Sequence, residues 1–258
     1  MKDKGAWIFL CGVLAVLCFY GAGKLTIYHI ASAQVRVAPF VLRTESYNYD
    51  KGPKGELFVK EVVARRSDGA TAEISTVGEP SSGNTVKTLT FLDGRAVVVY
   101  DPIQAKSSWH ITTARLAALK EHLLNSASDC MPREKREGKR SVIGDDVVLG
   151  HKAIRIQSDL SSGRIIDWKA PDLACETLEF TFEERQPDRS LKLKTHEKAV
   201  SLDIGEPPSN MFDSGADYAE MKPSEAQARY FQKVGAPEDA ASKQSAEQSD
   251  INYLRGQR

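Results

Sequence analysis

The residues that could support catalysis or metal binding are scattered along this chain rather than grouped in motifs. No two of the five histidines have the spacing of a metal-binding pair, and the chain has no Cys-x-x-Cys pair, phosphate-binding glycine loop or Gly-x-Ser-x-Gly turn. The acidic pairs Asp145-Asp146 and Glu183-Glu184 are adjacent, and adjacent side chains on a strand point to opposite faces, so neither pair can act jointly as acid and base. We therefore predict no catalytic residue, no metal site, no cofactor and no enzymatic activity.

An uncharged apolar segment lies close to the start of the chain, between Lys4 and Lys24. A helix of that length would span about 28 Å, close to the ~30 Å hydrocarbon layer of a bilayer. The sequence therefore predicts that residues 6–23 enter a membrane as an uncleaved anchor. The alternative is a signal peptide cleaved after Ala31-Ser32-Ala33. Because lysines precede the segment, both interpretations place the rest of the chain outside the cytoplasmic membrane.

Two cysteines, Cys130 and Cys175, follow the apolar segment, and the other two lie inside it. Two thiols on the oxidising side of a membrane usually pair. Because 45 residues separate them, a bridge would stabilise the fold by about 3–4 kcal/mol in the chain-entropy description. The sequence predicts this disulfide, and two unrelated buried thiols are the alternative.

The composition is that of a globular protein divided into three regions. Hydrophobic residues make up 41% and charged residues 27%, and the 35 basic side chains balance the 35 acidic ones. A balanced charge gives no electrostatic reason to expect a nucleic-acid partner. We predict a membrane anchor or signal segment at residues 1–33, a folded domain at 34–234 and a disordered tail at 235–258.

Alternation of apolar and polar residues predicts an antiparallel β-sheet through most of the folded domain. The predicted strands are 56–66, 72–77, 85–92, 95–100, 106–111, 147–158, 164–169, 177–184 and 191–202. Asp93-Gly94 predicts a type I′ hairpin. Helical spacing predicts one helix near residues 114–125, and Pro223-Ser224 begins a second. The predicted fold class is α+β: a mainly antiparallel sheet with one wet face, covered on the other by one or two helices, plus an N-terminal transmembrane helix.

Several short motifs accompany this organisation. They are a Gly150-His151-Lys152-Ala153 turn, the segment Trp168…Ala170-Pro171-Asp172-Leu173…Cys175, and the ending Gly205-Glu206-Pro207-Pro208…Met211-Phe212-Asp213. With an exported N-terminus and a Leu-rich helix inserted in a long meander, the chain resembles the lipoprotein-carrier (LolA/LolB-like) superfamily over about residues 55–222. The resemblance implies a sheet curved into a half-barrel that holds lipid acyl chains or docks a partner protein.

Seven side chains are predicted to form one apolar face of the sheet, and this face is the candidate ligand site. They are Ile154, Ile156, Trp168, Phe180, Phe182, Leu191 and Leu193. Such a stripe lines a lipid-sized cavity in some proteins and belongs to a solid core in others. The leading hypothesis is an inner-membrane-tethered periplasmic protein that binds a lipid or lipoprotein. The competing hypothesis is a non-enzymatic interaction or sensing module with a solid core.

Overall fold

The computed structural model describes residues 37–50, 52–77, 84–124, 130, 139–235 and 250. The predicted anchor or signal segment, residues 1–33, lies outside this part of the chain. So does the predicted tail, apart from Gly235 and Asp250. Within the described ranges, no helix is both long enough and apolar enough to cross a membrane.

The described residues form one open, curved sheet of twelve strands. The strands are β1 (Phe40–Asn48), β2 (Glu56–Arg65), β3 (Thr71–Val77), β4 (Thr85–Thr90), β5 (Arg95–Tyr100), β6 (Ala105–His110), β7 (Lys139–Val148), β8 (His151–Asp159), β9 (Gly163–Ala170), β10 (Glu176–Arg185), β11 (Leu191–Ile204) and β12 (Ala219–Glu220). Their order across the sheet is β12-β6-β5-β4-β3-β2-β1-β11-β10-β9-β8-β7. Two meanders, β1–β6 and β7–β11, are therefore joined where β1 pairs with β11. All the pairings are antiparallel except that of β12 with β6.

Two helices accompany the sheet, α1 (Thr113–Leu124) and α2 (Pro223–Val234). Thr112 caps α1, because its hydroxyl accepts a hydrogen bond from the amide of Arg115 at 3.3 Å. Helix α1 packs at one end of the sheet, where Leu123 and Ala174 are buried together. Helix α2 lies over β5, with the ring of Tyr230 5.6 Å from that of Tyr100. The mainly antiparallel sheet with two helices is confirmed.

The sequence analysis misses β1, most of β7 and the short β12, and it assigns the wrong type to one turn. Strand β1 was not predicted, and the predicted strand 147–158 is divided by a turn at Leu149-Gly150 between β7 and β8. The hairpin at Asp93-Gly94 is present, but it is not type I′. Only Gly94 has a positive φ, 98°, and the amide of Phe91 bonds to the carbonyl of Arg95, which gives a longer loop that ends in a bulge.

One face of strands β1–β5 is covered, and at β5 the other face is covered as well, so the prediction of one wet face is wrong at β5. On one face a buried row crosses these strands, and the C-terminal segment covers it. The row is Val41, Ala64, Ala72, Leu89, Val97 and Val99, and it packs against Met211, Phe212 and Tyr218. We call this side the outer face. Strand β5 explains the difference, because its run from Ala96 to Tyr100 is continuously apolar, as expected of a strand buried on both sides.

Candidate ligand-binding face

The other side of the sheet, which we call the inner face, carries the even-numbered side chains of β1, including Ser46. Residues directly opposite each other on neighbouring strands share a face. Ser46 lies opposite Glu197, Glu197 opposite Phe180, Phe180 opposite Asp167 and Asp167 opposite Ile156. The inner face can therefore be followed from the centre of the sheet to β8.

The strand register divides the seven predicted apolar residues between the two faces. Ile154, Ile156, Phe180 and Phe182 lie on the inner face. Trp168 lies opposite Arg155, so it belongs to the outer face, where its indole nitrogen donates to Asp146 at 3.1 Å.

Leu191 and Leu193 also lie on the outer face, opposite Arg185 and Glu183. Two features explain why the predicted set does not share one face. Alternation within a strand does not determine which set of side chains faces inward. A bulge in the β10–β11 pairing between Phe182 and Glu183 also changes which residues of β11 share a face with those of β10.

The inner-face apolar residues differ in how deeply they are buried. Ile154 and Ile156 are buried in a cluster with Cys130 and Cys175. Phe180, Phe182 and their neighbour Ile165, which lies opposite Phe182, are only half-buried. Large apolar side chains therefore remain accessible on the inner face near the middle of β9 and β10.

Next to Phe182, the backbone of β9 at Gly163 lies very close to the backbone of β10. A β-carbon at this position would lie 2.1 Å from the carbonyl oxygen of Glu183 and 3.0 Å from the ring of Phe182. Only glycine allows β9 and β10 to approach this closely.

Cys130 and Cys175 are joined by a disulfide, with their Cα atoms 5.4 Å apart. The bridge ties the segment after α1 to the start of β10. It lies against Ile154 and Ile156, so it closes one end of the inner-face apolar cluster. The predicted pairing is present in the structure.

Arg65 anchors the same end of the inner face from β2. Its side chain is almost completely buried, its guanidinium lies 4.4 Å from the centre of the Phe40 ring, and one nitrogen donates to the carbonyl of Leu173. A second nitrogen lies 3.7 Å from a carboxylate oxygen of Glu176. Burial raises the pKa of Glu176, and the positive charges of Arg65 and Lys169 act against that rise.

A group of carboxylates lies beyond this ion pair on the inner face. Glu61 of β2 lies opposite Thr44 on one side and Ser75 on the other, and the Ser75 hydroxyl is 3.5 Å from Glu61. The Ser46 hydroxyl donates to Glu197 at 3.3 Å.

Burial is the main cause of a raised pKa at Glu61, followed by the negative charges of Glu197 and Glu73, and together they bring it to about 7. Glu73 is exposed to solvent, although the protein atoms around it still raise its pKa. The sequence analysis missed this group. A signal for it exists in β2, because Glu61 takes the same side of the strand as Val59 and Val63.

A pocket of about 560 Å³ lies elsewhere, between α2 and the turn that follows β5. Its lining includes Ile103 and Met221 together with Arg229 and Lys233. None of the seven predicted face residues lines this pocket. In the described part of the chain, no group of three or more histidine, cysteine or acidic side chains is placed to hold a metal ion.

Comparison with known proteins gives matches among solved structures alone. No protein-family profile matches the chain. No curated protein matches it either. A complex of MucA and MucB from Pseudomonas aeruginosa is 13% identical, over 77% of this chain and 62% of that chain, with a TM-score of 0.42. The chain thus spans about three fifths of the length of that protein.

Two further solved structures are matched over nearly their whole length. A LolA superfamily protein from Nitrosomonas europaea is 7% identical, over 74% of this chain and 96% of that chain, with a TM-score of 0.28. A DUF1329 family protein from Desulfovibrio piger is 10% identical, over 76% and 98%, with a TM-score of 0.27. The LolA superfamily, which the sequence motifs resemble, is therefore represented among the matched structures.

Replacing both Cys130 and Cys175 with alanine should lower the free energy of unfolding by about 3–4 kcal/mol, because the bridge closes a 45-residue loop in the unfolded chain. Urea denaturation of the oxidised protein and the double variant measures the difference. Reduction of the unmodified protein should lower its stability by a similar amount. Equal stability in all three samples would contradict this expectation.

Replacing Glu61 with glutamine should stabilise the protein at pH 8 and leave its stability unchanged at pH 4. The pKa of Glu61 is raised from 4.5 to about 7 in the folded state. The folded protein therefore holds a proton that the unfolded chain loses between these values, and stability falls as the pH rises through that window. We expect a gain of about 1–3 kcal/mol at pH 8. Urea denaturation at both pH values measures it, with Glu121→Gln on the exposed surface of α1 as the control.

Proposed function

We propose that the protein is a membrane-tethered envelope protein that binds an apolar ligand, a lipid or a lipid-modified protein, on the inner face of its sheet. The observation that carries the proposal is the half-buried group Ile165, Phe180 and Phe182 next to the buried pair Ile154 and Ile156. Large apolar side chains that stay accessible on one surface are typical of ligand and partner sites.

The architecture supports binding on this face rather than a simple core. Helix α1 packs at one end of the strands, where Leu123 meets Ala174, and α2 packs over Tyr100 of β5. Neither helix packs against Phe180 or Phe182 in the described contacts. In the described part of the chain, the aromatic pair is therefore left uncovered by both helices.

The periplasm is the proposed location, with residues 6–23 as the tether in the inner membrane. The uncharged segment behind two lysines supports export. The disulfide supports the same compartment, because such bridges form and persist in oxidising environments. We propose no enzymatic activity for the domain.

A second candidate function, a protein-interaction module, is favoured by strand β7. This strand lies at one edge of the sheet in the described part of the chain. Val142, Ile143 and Val147 are exposed on it, Val147 by 66%. An exposed apolar edge strand is the surface to which an extended peptide can add as a further strand.

Lipid bound to the full chain tests the leading proposal. The chain is purified from its native membranes in a detergent that preserves bound lipid, and the extracted lipid is quantified by mass spectrometry. We expect near-stoichiometric lipid, and we expect Phe182→Glu to lose it because a charge would enter the apolar face.

Leu193→Glu is the matched control, because it places the same charge at a half-buried position on the opposite face. It should keep the lipid, and circular dichroism should show that both variants remain folded. A lipid-free parent protein, or equal lipid loss in the two variants, would reject binding on the inner face.

The redox state of the two domain thiols tests the location. In a chain whose Cys11 and Cys18 are replaced by alanine, acid-quenched cells are treated with a mass-adding maleimide. Cys130 and Cys175 should resist labelling in the full chain. Both should react after deletion of residues 1–33, which would retain the domain in the reducing cytoplasm. Two reactive thiols in the full chain would reject a periplasmic domain.

A further inference from the structure

The hydroxyl of Thr44 is a buried polar group without a hydrogen-bond partner. The residue is only 3% exposed and lies on the inner face of β1, directly opposite Glu61. Leaving a buried hydroxyl unpaired costs about 1–3 kcal/mol of stability when it is compared with a satisfied one. A hydroxyl in this position is therefore a candidate contact for a further polar group.

The groups around Thr44 supply hydrogen-bond acceptors in excess. The negative charge of Glu197 is close enough to help raise the pKa of Glu61. Each is approached by one serine hydroxyl, from Ser75 and Ser46 respectively. A carboxylate offers about four acceptor positions, so both retain capacity for further donors. The matching ligand group is a cation that carries several N–H donors.

An ammonium group fits this arrangement better than a metal ion does. No cluster within the described ranges meets the requirements of a metal site, whereas an ammonium group has three N–H donors on one positive charge. Glu61 and Glu197, on the two strands that flank β1, and the Thr44 hydroxyl on β1 are all acceptors for such donors. Phe180 lies directly opposite Glu197, so the cationic and apolar parts of the inner face are adjacent.

We propose that Thr44, Glu61 and Glu197 bind the ammonium group of an amphiphile whose apolar chain lies against Phe180 and Phe182. This inference rests on the proposed function and specifies the chemistry of its ligand, a primary amine joined to a hydrocarbon chain. Bound to the carboxylates, the positive charge of the ammonium group offsets the repulsion between Glu61 and Glu197.

Three probes with the same hydrocarbon chain and different head groups test the proposal: octylammonium, octanol and octanoate. Their binding to the full chain is measured by isothermal titration calorimetry at pH 8, where Glu61 is ionised. We expect octylammonium to bind at least tenfold more tightly than octanol, and octanoate to bind most weakly. The same ranking in protein freed of co-purified lipid excludes competition as its cause.

Two isosteric variants locate the ammonium group. Glu61→Gln and Thr44→Val should each weaken octylammonium binding, the first by about tenfold or more, while octanol binding stays unchanged. Glu121→Gln should alter neither. Thr44→Val removes a hydroxyl that has no partner, so the variant should fold at least as stably as the parent, and weaker binding then reflects the lost contact.

The outcomes separate this inference from the proposed function. Octanol and octylammonium binding with equal affinity would overturn the ammonium site and leave an apolar site standing. Failure of all three probes to bind would overturn both. A lysine of the same chain bound to these carboxylates would make Glu61→Gln less stable than the parent at pH 8, and that result would also overturn the inference.

Discussion

The pairing of β1 with β11 is the interaction on which the rest of the structure depends. These strands are far apart in the sequence. Side chains nevertheless join them directly, because the guanidinium of Arg43 on β1 donates to Ser201 and Asp203 at 3.3 and 2.7 Å. Because β1 also pairs with β2, it is the strand that turns two local meanders into one sheet. Every other strand pairing joins elements that are neighbours in sequence, apart from the short β12.

The composition of β1 then determines how the inner face changes along its length. Phe40 and Leu42 are fully buried in an apolar cluster with Leu173 and Leu178. The next inward positions are Thr44 and Ser46, which are also buried but polar. Strand β1 therefore borders the apolar cluster with one part of its length and the carboxylate group with the next.

The distribution of charge follows from the same arrangement. Arg65 is held at the apolar end by Phe40, by the carbonyl of Leu173 and by Glu176, so its positive charge is already engaged there. The disulfide ties down the segment that supplies Leu173 and Glu176. Glu61 and Glu197 lie further along the face, and burial together with their mutual repulsion raises the pKa of Glu61. A face with this imbalance is suited to a ligand that brings a positive charge.

The sequence by itself was enough to predict most of the strands, both helices and the partners of the disulfide. Local backbone preference and the alternation of side chains act over a few residues, and Cys130 and Cys175 are the only two cysteines of the sequence outside the apolar N-terminal segment. The tertiary structure alone decided which side of each strand faces inward. Trp168 and Leu193 lie on the outer face instead of the predicted one, because strand register and bulges are set by strand pairing and not by alternation. It alone also created the carboxylate group, since Glu61 and Glu197 meet only when β1 lies between their strands.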